Sequence, residues 1–108
     1  MEFRVVITAP ADRDFRDHLK WIRGRSLQGA DNWRARIISA IRALQKNPEQ
    51  HAPARESAAF PVTIRCMLVG KRRSAFRILF HFADDDVRVL AIRWPAQDFL
   101  SPDHLDEP

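Results

Sequence analysis

Arg77 is the residue whose placement most suggests chemistry. It stands in the run Phe76-Arg77-Ile78-Leu79-Phe80-His81-Phe82, where every other member except His81 is apolar. A guanidinium is costly to take out of water unless it meets an anion. Its planar fork grips phosphate or carboxylate through paired hydrogen bonds, so Arg77 points to an acidic ligand or partner. Arg65 and Arg88, in neighbouring alternating runs, are the flanking cations. His81 shares the parity of Arg77 along the strand, ~13 Å away at strand rise, and its near-neutral pKa suits proton transfer. His18, in a helical run, and His51 and His104, in loops, are weaker candidates. The competing structural role for Arg77 is an ion pair with a loop acid such as Glu56.

Other chemistries lack their residues. No serine, aspartate and histidine stand at nucleophile spacing, and no two histidines stand at metal-ligand spacing. Gly24, Gly29 and Gly70 are the only glycines, too few and too scattered for a phosphate loop. Cys66 is alone, which excludes an intramolecular disulfide. Neither metal nor cofactor is expected, and a small-molecule ligand is not.

The elements that must position these residues read clearly. Phe3, Val5 and Ile7 alternate with Arg4, Val6 and Thr8, a first strand. Pro10 suits the first turn of a helix. Phe15, Leu19 and Ile22 then give a helical apolar stripe that ends at Gly24. A second helix is predicted from about Ala30 to Lys46, with Trp33, Ile37, Ile41 and Leu44 as its stripe and Asn47-Pro48 as its stop. The short link makes the two an antiparallel hairpin. Pro48 to Pro61 reads as a long loop. Ile64 to Val69, Ser74 to Phe82 and Val87 to Trp94 read as strands, the last two joined through Asp84, Asp85 and Asp86 as a hairpin. Pro95 ends the ladder.

The fold class is therefore α+β, in the order β-α-α-β-β-β, with a helical hairpin on one face of a mostly antiparallel four-stranded sheet. The expected core is Phe3, Val5, Ile7, Phe15, Leu19, Ile22, Ile37, Ile41, Leu44, Ile64, Cys66, Leu68, Phe76, Ile78, Phe80, Phe82, Val87, Val89 and Ala91. This leaves Arg65, Met67, Val69, Arg77, Leu79, His81, Arg88, Leu90, Ile92 and Trp94 on the second face. Such a mixture of cations and apolar groups suits a partner groove, unless the Pro48 to Pro61 loop or the C-terminal tail folds over it.

One domain of 108 residues fits, read as residues 1–100 with an acidic tail at 101–108. Lys and Arg number 18 against 14 Asp and Glu, a net charge of +4, which implies an acidic partner. No signal peptide or membrane span is expected, since charges interrupt every apolar run, and a cytoplasmic location follows.

In order and spacing, these segments resemble the RelE/ParE superfamily of toxins from bacterial toxin–antitoxin pairs. The likeness runs from FRVVIT through TAPADRDFRDHLKWI, LQKNPEQ, IRCMLVG, KRRS and FRILFHF to VRVLAIRWPAQD. It implies a type II toxin, associated with plasmid stabilization and growth inhibition and neutralised by a small cognate antitoxin. In the RelE branch, a ribosome-dependent mRNA endonuclease, Arg77 matches the strand arginine that contacts the scissile phosphate, with Arg65 and His81 as further candidates. That branch's second arginine falls at about Gln97, and its terminal tyrosine has no counterpart in a chain without tyrosine. The ParE branch poisons DNA gyrase by binding and needs no catalytic set. Lys71, Arg72, Arg73, Arg93 and Trp94 fit it better and join the second-face residues as expected contacts. The alternatives are the endonuclease, acting on the ribosome and mRNA, and a non-toxic binding partner or autoregulator of the same fold.

Overall fold

The first strand, β1 (Arg4–Ile7), feeds directly into a helix because Thr8 holds both to the middle of the sheet. Its N–H and its hydroxyl both donate to the Val89 carbonyl, at 3.1 and 2.7 Å. Pro10, buried in the first turn, opens α1 (Ala9–Arg23). This computed structural model describes residues 2–71 and 75–94. Arg72, Arg73, His104, Gln97 and the acidic tail lie outside the described residues.

Helix α2 (Leu27–Ala43) begins three residues earlier than the apolar stripe alone suggests. The reason is a cap: the Ser26 hydroxyl accepts the Gly29 N–H at 2.9 Å. A Cβ at position 29 would lie 3.1 Å from that hydroxyl, so glycine lets the cap close. Ser26→Ala should cost about 1 kcal/mol in urea unfolding. After α2, Asn47 takes a left-handed conformation (φ 52°), which Asn tolerates, and sends the chain into buried Pro48.

Three further strands, β2 (Arg65–Val69), β3 (Phe76–Ala83) and β4 (Asp86–Arg93), form an antiparallel meander. Strand order is β1-β4-β3-β2, with β1 parallel to β4. The β3–β4 turn is only two residues, Asp84 and Asp85, and Asp84 supplies the positive φ of 54°. Asp86 is thus already in β4, where it pairs with Arg4 at 2.9 Å.

The α1–α2 hairpin covers one face, and Ala11, Trp33, Ile37 and Leu44 meet Ile78, Phe80, Val87, Val89 and Ile92 in the main core. Two expected facings are corrected here. In β2, Met67 lies opposite Ile78 and Val69 opposite Phe76, so Arg65, Met67 and Val69 face the helices. Cys66 and Leu68 face the other way, and Leu68 is 65% exposed rather than core. In β4, the register slips so that Leu79 meets Ala91 but Phe80 meets Val89, with Leu90 as the extra residue of a bulge. One extra residue switches the parity. Ile92 turns to the helices, and Ala91, expected beside Val89, joins a second cluster on the opposite face.

Candidate functional site

The second face is not open. Residues 52–59 cross it as a strap, tied down at both ends. Ala54 N–H donates to the Ile64 carbonyl at 2.7 Å, and Cys66 N–H donates to the Ala52 carbonyl at 3.1 Å. The Ser57 hydroxyl accepts the Ile64 N–H at 2.9 Å. A short 3₁₀ segment, Arg55–Ala59, carries Ala54 and Phe60 onto Ile64, Cys66, Leu79, Leu90 and Ala91, making a small second core. The loop without periodicity is therefore a lid of fixed structure over half the face.

Its charged centre is the pair Arg77 and Glu56. The Arg77 guanidinium donates to the Glu56 carboxylate. The Glu56 side chain is 0% exposed and that of Arg77 11%. Burial alone would lower the pKa of Arg77, but the hydrogen bond and charge of Glu56 outweigh it and hold it above its ordinary value. The Cys66 thiol also contacts Arg77, and burial pushes that thiol up. One nitrogen of Arg77, Nη1, is buried and has no partner among the described residues.

The remaining expected residues divide between the two faces. Arg77 lies opposite Arg93 and next to Leu79, and His81 lies opposite Arg88, so these five share the strap side. Arg88 is exposed, whereas Arg93 is 7% exposed and Leu79 fully buried. Burial lowers the His81 pKa and the nearby Arg88 charge adds to it, so His81 is neutral at neutral pH. Arg65 is on the helix side: its guanidinium donates to the His51 carbonyl at 2.7 Å and lies 5.4 Å from the Phe82 ring. Met67, Ile92 and Trp94 leave the face as well. Arg65, Arg77 and His81 therefore do not converge on one reacting centre. Lys71 is exposed at the end of β2.

Trp94 instead closes an aromatic cluster around a histidine whose role the sequence reading missed. His18 is 5% exposed, and its ring meets Trp33, Phe76 and Trp94 edge-on. Strand β1 ends opposite Val89, so β4 has no strand neighbour there beyond that point. Helix α1 takes over: Asp14 accepts the Ile92 N–H at 2.9 Å, and His18 Nε2 lies 2.7 Å from the Ile92 carbonyl. With Nε2 donating, the ring is held as one neutral tautomer. Burial lowers its pKa more than that hydrogen bond raises it. The one signal in the sequence was the i, i+4 spacing of Asp14 and His18 beside the apolar stripe.

A cleft of about 390 Å³ remains between β1 and the two helices, lined by Val5, Ile7, Phe15, Ile38 and Ile41 with Arg42 at its rim. No group of three metal-ligating side chains occurs among the described residues, and no helix there is long and apolar enough to cross a membrane.

A family model described as ParE toxin of type II toxin-antitoxin system, parDE, matches residues 5–99. A solved structure titled chromosomal ParDE TA system from P. aeruginosa superposes with a TM-score of 0.69 at 16% identity. The match covers 86% of this chain and 96% of that one. That likeness supports the shared fold. No curated protein matches the sequence.

Proposed function

Because this chain belongs to the ParE toxin family of type II toxin–antitoxin systems, we propose that it acts by binding DNA gyrase and that a small cognate antitoxin neutralises it. The observation that carries this reading is the buried Arg77–Glu56 pair. In an RNA-cleaving toxin, the strand arginine has to meet a phosphate. Here the carboxylate of the chain's own strap already takes that place, and Arg65 points to the opposite face. A centre for RNA cleavage would lack its cation, whereas a toxin that works by occupancy loses nothing. His81 and Arg88 at the uncovered end of the strap side, with Lys71 and the sequence-adjacent Arg72 and Arg73, are the contacts assigned to the target. The domain spans residues 1–100, ahead of the acidic tail, and works in the cytoplasm where gyrase is found.

The test is induced expression of the chain alone, following growth, chromosomal breaks and mRNA integrity together. Growth arrest with DNA breaks and intact mRNA is the expected outcome, relieved when the antitoxin is co-expressed. Messenger cleaved on translating ribosomes would instead assign the chain to the endonuclease class. Unimpaired growth would leave a binding partner or autoregulator.

A further inference from the structure

The turn between the two helices is rigid and carries side chains that the core does not use. Gly24 N–H donates to the Lys20 carbonyl at 3.1 Å, and the Arg25 and Ser26 N–H groups both donate to the Ile22 carbonyl at 2.9 Å. The Ser26 cap then fixes the start of α2. From this frame project Trp21, 51% exposed, and Leu27, 72% exposed. The indole is held in place: the Arg25 guanidinium lies over its ring, 4.2 Å from the centroid, and Trp94 meets it edge-on at 4.9 Å. Trp94 in turn packs on His18 and Phe76. Tryptophan and arginine are enriched among the residues that dominate protein interfaces. Fixing them before contact lowers the ordering cost of binding.

Beside the indole lies a shallow hollow of about 680 Å³, lined by Asp17, Lys20, Trp21, Gly24 and Arg25. Lys20, Arg23 and Arg25 are all exposed here, against the one acid Asp17. Neither Lys20 nor Arg23 makes an ion pair among the described residues. Both suit the negative end of α1, but that role accounts for neither the indole nor Leu27. The corner thus joins apolar projections to an excess of positive charge. Its place in the molecule follows from contacts: Trp21 meets Trp94, Trp94 meets Phe76, and Phe76 pairs with Val69, two residues before Lys71. The corner stands at the same end of the sheet as Lys71, one of the contacts assigned to the target.

We infer that the corner formed by Trp21, Arg25 and Leu27 docks on the gyrase protein itself, in an apolar recess rimmed by carboxylates. This rests on the gyrase reading and names a surface that delivers it. A projecting indole needs a recess opposite it, which a folded partner has and a single extended peptide lacks. Nucleic acid suits the corner less well. Arg25 already covers a face of the indole on which a base would stack, Asp17 would repel phosphate, and Leu27 would have no role. A second copy of the chain would bring the cations of both corners together.

The test is binding of the purified chain to purified gyrase, to duplex DNA and to the antitoxin, with Trp21 left intact because it also packs on Trp94. Leu27→Ser should weaken gyrase binding about 10-fold or more, equally at low and high salt. Arg25→Glu should weaken it about 10-fold or more at low salt, and the loss should shrink as salt rises, since exposed charges are screened. Both variants should keep the parent's melting temperature and its affinity for the antitoxin. Gyrase bound by both variants as tightly as by the parent overturns the docking corner and leaves the gyrase reading standing. A parent chain that does not bind gyrase overturns both. Variants that lose DNA or antitoxin binding while gyrase binding is unchanged give the corner to that partner and overturn the inference.

Discussion

Glu56→Ala should destabilise the fold by about 3–5 kcal/mol, because it leaves a buried guanidinium without its counter-charge. Arg77 lies under the strap, and its Nη1 already lacks a partner among the described residues. Removing Glu56 strips the remaining charged contact from a side chain only 11% exposed. The strap would then either open to hydrate Arg77 or carry an uncompensated charge. Urea unfolding measures the loss directly, with a lower midpoint and, if the strap detaches in the native state, a smaller slope. The double replacement Arg77→Met with Glu56→Leu should recover most of the loss, since apolar groups of similar volume often substitute for a buried pair at little cost. A Glu56→Ala midpoint equal to that of the parent would mean that the pair does not hold the strap.

His18→Ala should cost about 3 kcal/mol, combining a cavity among three aromatic rings with an unpaired Ile92 carbonyl. The same residue sets an acid limit. In the unfolded chain, a histidine takes up its proton near pH 6.5. Burial lowers the pKa of folded His18 below that value. Between the two values the unfolded state binds more protons, so stability that is full above about pH 6.5 is lost as pH falls. The loss from this one group is at most about 1.4 kcal/mol per pH unit. Melting curves from pH 7 to pH 5 should therefore slope downward for the parent chain and less steeply in His18→Leu, where His51 and His81, also lowered by burial, still contribute. An equally steep slope in that variant would place the titration elsewhere.

The arrangement of elements was legible because helical spacing and strand alternation do not overlap along this chain. Phe76, Ile78, Phe80 and Phe82 could be placed under the helices from their period alone. The facing of β2 could not. Ile64, Cys66 and Leu68 are about as apolar as Met67 and Val69, so the pattern weakly specifies which set turns inward. The register against Ile78 and Phe76 decides it. In β4 the alternation was real but was interrupted at Leu90, where a bulge leaves no sign in residue type. Glu56 could be named as a partner for Arg77 from charge alone. That the strap around it would cover the face depended on backbone bonds at Ala52, Ala54 and Ser57, which no local period announces.

The parallel pairing of β1 with β4 has a consequence for how the molecule comes into being. Arg4 to Ile7 align with Asp86 to Val89, so β1, synthesised ahead of the other three described strands, must wait for β4. Closing a loop of that length has to be met before its contacts return any stabilisation, which slows folding relative to helical chains of similar size. Until β4 emerges, β1 has no strand to pair with, and the helices have only β2 and β3 to cover. A nascent chain therefore lacks the native sheet until β4 has emerged. That interval gives a pre-existing partner time to be at hand before the toxin has a shape with which to act.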